Sequence, residues 1–183
     1  MGAKAETTSM VISDAMDGQH DGCLVGVLSD THGLLDPRVV SAFVGVDHII
    51  HAGDVGGPDV LRELAAVAPV TAVRGNTDTA PWAWDLPAEA WVELCGRKVL
   101  VAHDLVRLLR HVDVSALDVS AVITGHSHRP VVEWRHEVLY LNPGAAGRRR
   151  FDFPKAVALL RITDRTLEPR TVILEPGVRP RGR

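Results

Sequence analysis

A four-layer α/β/β/α sandwich, two mixed sheets flanked by helices, is the fold this sequence predicts. Short apolar runs without strict alternation, such as Leu24–Leu28, call for strands buried on both faces. Strand-like and helix-like segments alternate through the first half, whereas the second half is strand-rich, which suits a mixed sheet core with helices outside. The length, 183 residues at 46% hydrophobic content, suits one domain with a sizeable core.

Leu24–Leu28 is the first globular strand and runs into Ser29-Asp30-Thr31-His32-Gly33. Asp36 to Val46 reads as a helix, with Asp36 as N-cap, Pro37 at the first position and Val39, Val40 and Phe43 on one face. Asp47 to Ala52 is a short strand leading into Gly53-Asp54, and Gly56-Gly57-Pro58 breaks the chain before a helix over Asp59 to Val67. Pro69 to Val73 is a third strand and opens onto Arg74-Gly75-Asn76-Thr77-Asp78. Ala80 to Pro87 is a proline-bounded loop whose Trp82 and Trp84 could line a substrate face or pack on the sheet edge. Trp91 to Ala102 reads as a hairpin turned at Cys95-Gly96-Arg97, with His103 at its end. Leu105 to Val112 has helical spacing. Ala121 to Thr124 is a buried strand before Gly125-His126-Ser127-His128, and hairpins over 131–141 and 155–174 close the chain, with Asn142-Pro143-Gly144 as a tight turn between them.

Residues 1–22 read as a disordered leader, with a short strand at Met10 to Ile12 as the lesser alternative, 23–175 as the folded domain and 176–183 as a frayed basic tail. A net charge of −3 gives no global attraction for nucleic acid or anionic lipid. No apolar run approaches the about 20 residues of a membrane span, so no membrane partner is expected. Cys23 and Cys95 make no disulfide framework and read as two reduced residues, which places the chain by default in the cytoplasm.

The chemistry lies in the loops. Asp30, His32, Asp54, Asn76, His103, His126 and His128 each follow an apolar strand by one to a few residues, so all should gather at one edge of the core. A shared Asp54 would give two four-ligand metal sites: Asp30, His32, Asp54 and His128 for one, Asp54, Asn76, His103 and His126 for the other. Nitrogen and oxygen ligands without sulfur disfavour structural zinc. They favour two divalent ions, Mn²⁺ first, with Zn²⁺, Fe or Ni²⁺ as alternatives.

The ordered set Asp-Thr-His, Gly-Asp, Gly-Asn-x-Asp, His and Gly-His-Ser-His resembles the calcineurin-like metallophosphoesterase superfamily, and the short chain with its Asn-Pro-Gly turn resembles the small bacterial phosphodiesterase branch. The resemblance covers about residues 23–175. It implies a dinuclear metal site and hydrolysis of phosphate esters by a hydroxide bridging the two ions. Asn76 and His103 would assist by neutralising charge on the phosphoryl oxygens. The substrate would be a small phosphodiester, a nucleotide among the candidates. Two positions depart from the superfamily pattern. Thr77 stands where many members carry a histidine near the leaving group, which leaves the general acid unassigned, with Asp78 as one candidate. Asp104 follows His103 where glycine is usual. It either caps the next helix or places a charge beside the second metal.

The rival readings are a phosphomonoesterase of the same fold and a non-catalytic scaffold like the retromer subunit that shares it. His51 reads as a packed strand residue or a hydrogen-bond partner of a ligand, and His48 as a partly exposed strand residue. One of Arg148, Arg149 and Arg150 could reach a substrate phosphate. An exposed sheet edge or the tryptophan loop offers a surface for a homodimer.

Overall fold

The computed structural model describes residues 11–12, 22–149 and 152–177. The strands are β1 (Val11–Ile12), β2 (Cys23–Leu28), β3 (His48–His51), β4 (Val70–Ala72), β5 (Glu89–Leu94), β6 (Arg97–Ala102), β7 (Ala121–Ile123), β8 (Val131–Arg135), β9 (Val138–Asn142), β10 (Lys155–Ile162) and β11 (Leu167–Glu175). The α-helices are α1 (Pro37–Ala42), α2 (Pro58–Ala65) and α3 (Leu105–Leu108), with 3₁₀ turns at Pro81–Ala83 and Val114–Ala116.

One sheet has the order β1-β5-β6-β7-β9-β8 and the other β11-β10-β2-β3-β4. Both are mixed. In the second sheet β2, β3 and β4 run parallel, while β10 is antiparallel to β2 and to β11. In the first, β6, β7 and β9 are parallel, and β5 and β8 run antiparallel to their neighbours β6 and β9. The inter-sheet core holds Val25, Val27 and Ile50 against Val99, Val101, Ile123 and Leu141, all buried. A second core puts Val39, Phe43, Val60 and Leu64 on the outer face of the five-stranded sheet. A third puts Leu108, Val114 and Val119 over Leu100, Val122 and Tyr140. These are the four layers, although the layer over the six-stranded sheet is thin.

Asp36 caps α1 as its sequence position predicts: its side chain accepts from Arg38 N at 3.0 Å, and Pro37 opens the helix. The helix ends at Ala42, well before the Val46 expected from periodicity, because the chain turns at Gly45 with φ +80°. α3 is likewise one turn rather than two. A new cap begins at Asp113, whose carboxylate accepts from Ser115 N.

Three further expectations need correcting, and the arginine expectation is narrowed. Val11–Ile12 lies in the expected leader but pairs in parallel with Trp91 and Val92 of β5; residues 1–10 and 13–21 fall outside the described set. His48 is 7% exposed, and its Nε2 pairs with Thr71 Oγ1 at 2.9 Å, because β3 is an inner strand whose polar side chains must find partners. Of the three candidate arginines, Arg149 donates to Pro176 O at 3.0 Å and pairs with Glu175, so it is held at β11, and Arg150 lies outside the described residues. Cys23 and Cys95 are joined in a disulfide. The β5–β6 turn stacks over the start of β2 and brings their Cα atoms to 6.1 Å, within bridging range across a sequence separation of 72. Two reduced thiols were the ground for a cytoplasmic placement, and that ground is removed. Among the described residues no helix is long and apolar enough to cross a membrane.

Trp82 packs against the second core, whereas Trp84 is exposed and donates from Nε1 to Thr79 O of the adjacent loop. Val132 and Trp134 are exposed on the edge strand β8.

Candidate metal centre

The parallel strands β2, β3, β4, β6 and β7 all point their carboxyl ends at one side of the sandwich. The loops there are laced together by backbone hydrogen bonds. Asp30 N donates to Gly53 O, His32 N to Asp54 O and Gly125 N to His103 O, at 2.9–3.0 Å. The backbone is left-handed at Asp30, His32, Asp54, His126 and His128, with φ between 48° and 67°. Non-glycine residues hold that conformation only where surrounding contacts enforce it, and functional sites are where such strain collects. Gly75 closes the approach of a third loop: a Cβ there would collide with Asp54 N and Oδ1.

Asp30 is fully buried. Its Oδ2 accepts from Ser29 Oγ at 2.6 Å and from His126 N at 3.1 Å, while Oδ1 faces His128 Nε2 at 3.2 Å. Burial acts to raise the Asp30 pKa, but His128, Ser29 and His103 outweigh it and hold the carboxyl below its usual range. Asp54 has the same division. Its Oδ1 accepts from Thr77 N at 2.9 Å, and its Oδ2 lies 3.9 Å from His32 Nε2 and 3.5 Å from His103 Nε2. Burial again opposes ionisation of Asp54, and His103 with the Thr77 N–H more than offsets it. His103 Nδ1–H donates to Ala52 O at 2.8 Å, which turns Nε2 towards Asn76 Oδ1 at 3.1 Å. His126 Nδ1 meets the same Asn76 oxygen at 3.0 Å.

All seven sequence-predicted residues therefore come together. Ligand atoms of Asp30, His32 and His128 lie within 4.8 Å of one another, as do those of Asp30, Asp54 and His103. Asp54 Oδ2 lies between His32 and His103, 3.9 and 3.5 Å from their Nε2 atoms. The donor set fits divalent ions: each of the two aspartates has one oxygen anchored by the protein and the other aimed into the cluster.

Three supporting residues were not assigned these roles from sequence. Asn142 Nδ2 donates to Gly125 O and Ser127 Oγ at 2.6 and 3.1 Å, and so clamps the His126–His128 loop. Ser29 Oγ, besides meeting Asp30, lies 2.8 Å from Gly144 O. Asp78 is 3% exposed and accepts from Val55 N, Gly56 N and Gly75 N at 2.8–3.1 Å, which ties the Asp54 loop to the Asn76 loop and removes it from consideration as general acid. The sequence signals were position beside a strand-end ligand for Ser29, position two residues after Asn76 for Asp78, and the Asn142-Pro143-Gly144 turn for Asn142.

His51 is fully buried and touches Thr31, which lies between two ligands, rather than a ligand itself. The Thr31 hydroxyl gives its single proton to Val55 O, so His51 Nε2 must donate to Thr31 Oγ1 at 2.9 Å. Burial pushes the His51 pKa down to about 4. The unfolded chain binds that proton near pH 6.5 and the folded chain does not, so stability falls as pH drops through this window, by about 3 kcal/mol in all. Urea unfolding of metal-free protein from pH 7 to 4.5 should show this loss, and His51→Gln should flatten the slope.

The fold and the cluster define a metal-dependent phosphoesterase. A sequence profile of the calcineurin-like phosphoesterase superfamily domain matches residues 24–165, and the chain belongs to that family. A probable metallophosphoesterase of Methanothermobacter thermautotrophicus is 33% identical over 156 residues, spanning 79% of this chain and 89% of the relative. A solved archaeal phosphodiesterase superposes with a TM-score of 0.69 at 25% identity, covering 82% of this chain and 99% of its own. Vacuolar Protein Sorting 29 of Cryptosporidium parvum shares the fold, with a TM-score of 0.67 at 19% identity over 85% of this chain and 100% of its own.

Proposed function

We propose that the chain is a phosphodiesterase that works with two divalent ions, Mn²⁺ foremost, on a small diester. The observation that carries this reading is a pair of ligand clusters, Asp30–His32–His128 and Asp30–Asp54–His103, with Asp54 Oδ2 3.9 Å from His32 Nε2 and 3.5 Å from His103 Nε2 and every histidine, carboxylate and amide of the expected set present. Asp30, His32, Asp54 and His128 would hold one ion, and Asp54, Asn76, His103 and His126 the other. Two ions held there would supply Lewis acidity, neutralising phosphate charge and easing loss of a water proton. Asn76 is exposed, and its amide stands between His103 and His126 at the mouth of the site, placed to meet a phosphoryl oxygen. His103 keeps one tautomer through Ala52 O and presents the opposite nitrogen. Ionised Asp54 and Asp30 keep the cluster anionic, which favours cations over protons as occupants.

A diester is favoured over a monoester because Asp104 Oδ2 lies only 3.9 Å from His126 Nε2 and opposes the second charge of a monoester dianion. The test is hydrolysis of bis(p-nitrophenyl) phosphate and p-nitrophenyl phosphate with Mn²⁺, Zn²⁺, Mg²⁺ or EDTA. The expected result is metal-dependent diester turnover, weak monoester turnover and none in EDTA. Monoester preference would replace this reading with a phosphomonoesterase, and absent turnover with absent metal binding would replace it with a scaffold.

A further inference from the structure

Beside the metal centre, on the outer face of the six-stranded sheet, a cavity of about 210 Å³ opens between the start of α3 and the β8–β9 hairpin. Its walls include Leu105, Val106, Val131 and Tyr140, and its rim toward the cluster is Asp104 and His126. Neither lysine nor arginine lines it among the described residues. Asp104 is fixed there as N-cap of α3. Oδ1 accepts from Val106 N and Arg107 N at 2.8 and 3.2 Å, which turns Oδ2 towards His126. The other carboxylate of the lining, Glu133, is paired with Arg135 through both oxygens, so the charge presented is mainly that of Asp104.

We propose that this cavity seats one ester arm of the diester, and that Asp104 makes it select a cationic arm such as a quaternary or primary ammonium alcohol. The inference rests on the phosphodiesterase reading and adds a substrate class to it. A phosphorus atom at the cluster would lie beside His126, so an arm of a few atoms enters the cavity directly. Apolar walls suit the carbon skeleton of the arm and the carboxylate stands at the entrance, while the Tyr140 ring is already covered by the Arg135 guanidinium at 4.4 Å, itself neutralised by Glu133. The larger groove of about 980 Å³, lined by His111, Asp113, Arg135 and Glu137, includes none of the candidate ligands.

The experiment compares p-nitrophenyl phosphorylcholine with ethyl p-nitrophenyl phosphate, both releasing the same phenolate, in metal-loaded protein. The native chain should prefer the choline ester about tenfold in kcat/KM, through KM, and lose much of that preference at high salt. Asp104→Asn keeps a capping oxygen but not the charge and should bring the ratio within about twofold, with Asp104→Glu restoring part of it. Val131→Phe, which fills the cavity, should raise KM for the choline ester more than for the ethyl ester. Phosphocholine titrated into metal-free protein should shift the Val106 and Val131 methyl resonances. Turnover of both esters with one ratio in the native chain and in Asp104→Asn would overturn the subsite alone. Hydrolysis of p-nitrophenyl phosphate but of neither diester would overturn the phosphodiesterase reading and the subsite with it.

Discussion

Asp54→Asn is expected to lower metal-dependent turnover by at least about a hundredfold and to weaken metal binding. Residues that merely orient a metal ligand cost about 10–100-fold when removed, and a carboxylate shared by two sites should reach at least the top of that range. The argument rests on the two oxygens having different jobs. Oδ1 is committed to the Thr77 N–H, a bond asparagine can keep. Oδ2 faces two imidazoles, 3.9 Å from His32 and 3.5 Å from His103, and an amide nitrogen there offers no lone pair to a cation. A second readout needs no metal. Burial alone would lower the His103 pKa, but Asp54 and Ala52 O raise it above the ordinary value. Loss of the Asp54 charge should therefore move His103 downward in an NMR titration of the metal-free protein. An unchanged His103 titration together with full turnover would remove Asp54 from the bridging position.

The site was legible because its residues obey a local rule. Each is a hard ligand directly after an apolar run, and parallel strands carry such positions to one edge. Strand assignments held for the same reason: Leu24–Leu28 and Ala121–Ile123 are apolar on both faces, which only an inner strand tolerates. Helix lengths were less legible. Leu105, Leu108 and Leu109 have the same spacing in one turn as in two, and the stop depends on where Asp113 starts a new cap. The cysteine pairing could not be read locally, since Cys23 and Cys95 meet only through the stacking of one sheet on the other. The same holds for His48 and Thr71, on neighbouring strands with 22 residues between them, and for Asn142, which reads as the start of a turn until the His126 loop lies against it.

Asp78 separates a supporting role from a chemical one. Its carboxylate is 3% exposed and accepts three backbone N–H groups: from Val55 and Gly75 at Oδ2 and from Gly56 at Oδ1. Alanine would leave the buried Val55 and Gly75 donors unsatisfied at roughly 1–3 kcal/mol each, while the exposed Gly56 N–H turns to water, for a net cost of about 3 kcal/mol. For a chain of this size that corresponds to a fall in Tm of about 10 °C. Asp78→Asn keeps an oxygen for the Val55 and Gly75 donors but turns an amide N–H₂ on Gly56 N, so its loss should fall between native and alanine. Metal affinity should fall with both variants, because the tie between the Asp54 and Asn76 loops loosens. Once saturated with metal, folded Asp78→Asn should keep at least about a tenth of the native kcat, the lower end of what a positioning group costs. A general acid would behave oppositely: Asp78→Asn would leave Tm almost unchanged and lose about 10²–10⁴-fold in kcat at any metal concentration. Thermal melts and metal-saturated kcat on the two variants distinguish these roles, and the three N–H contacts predict the first.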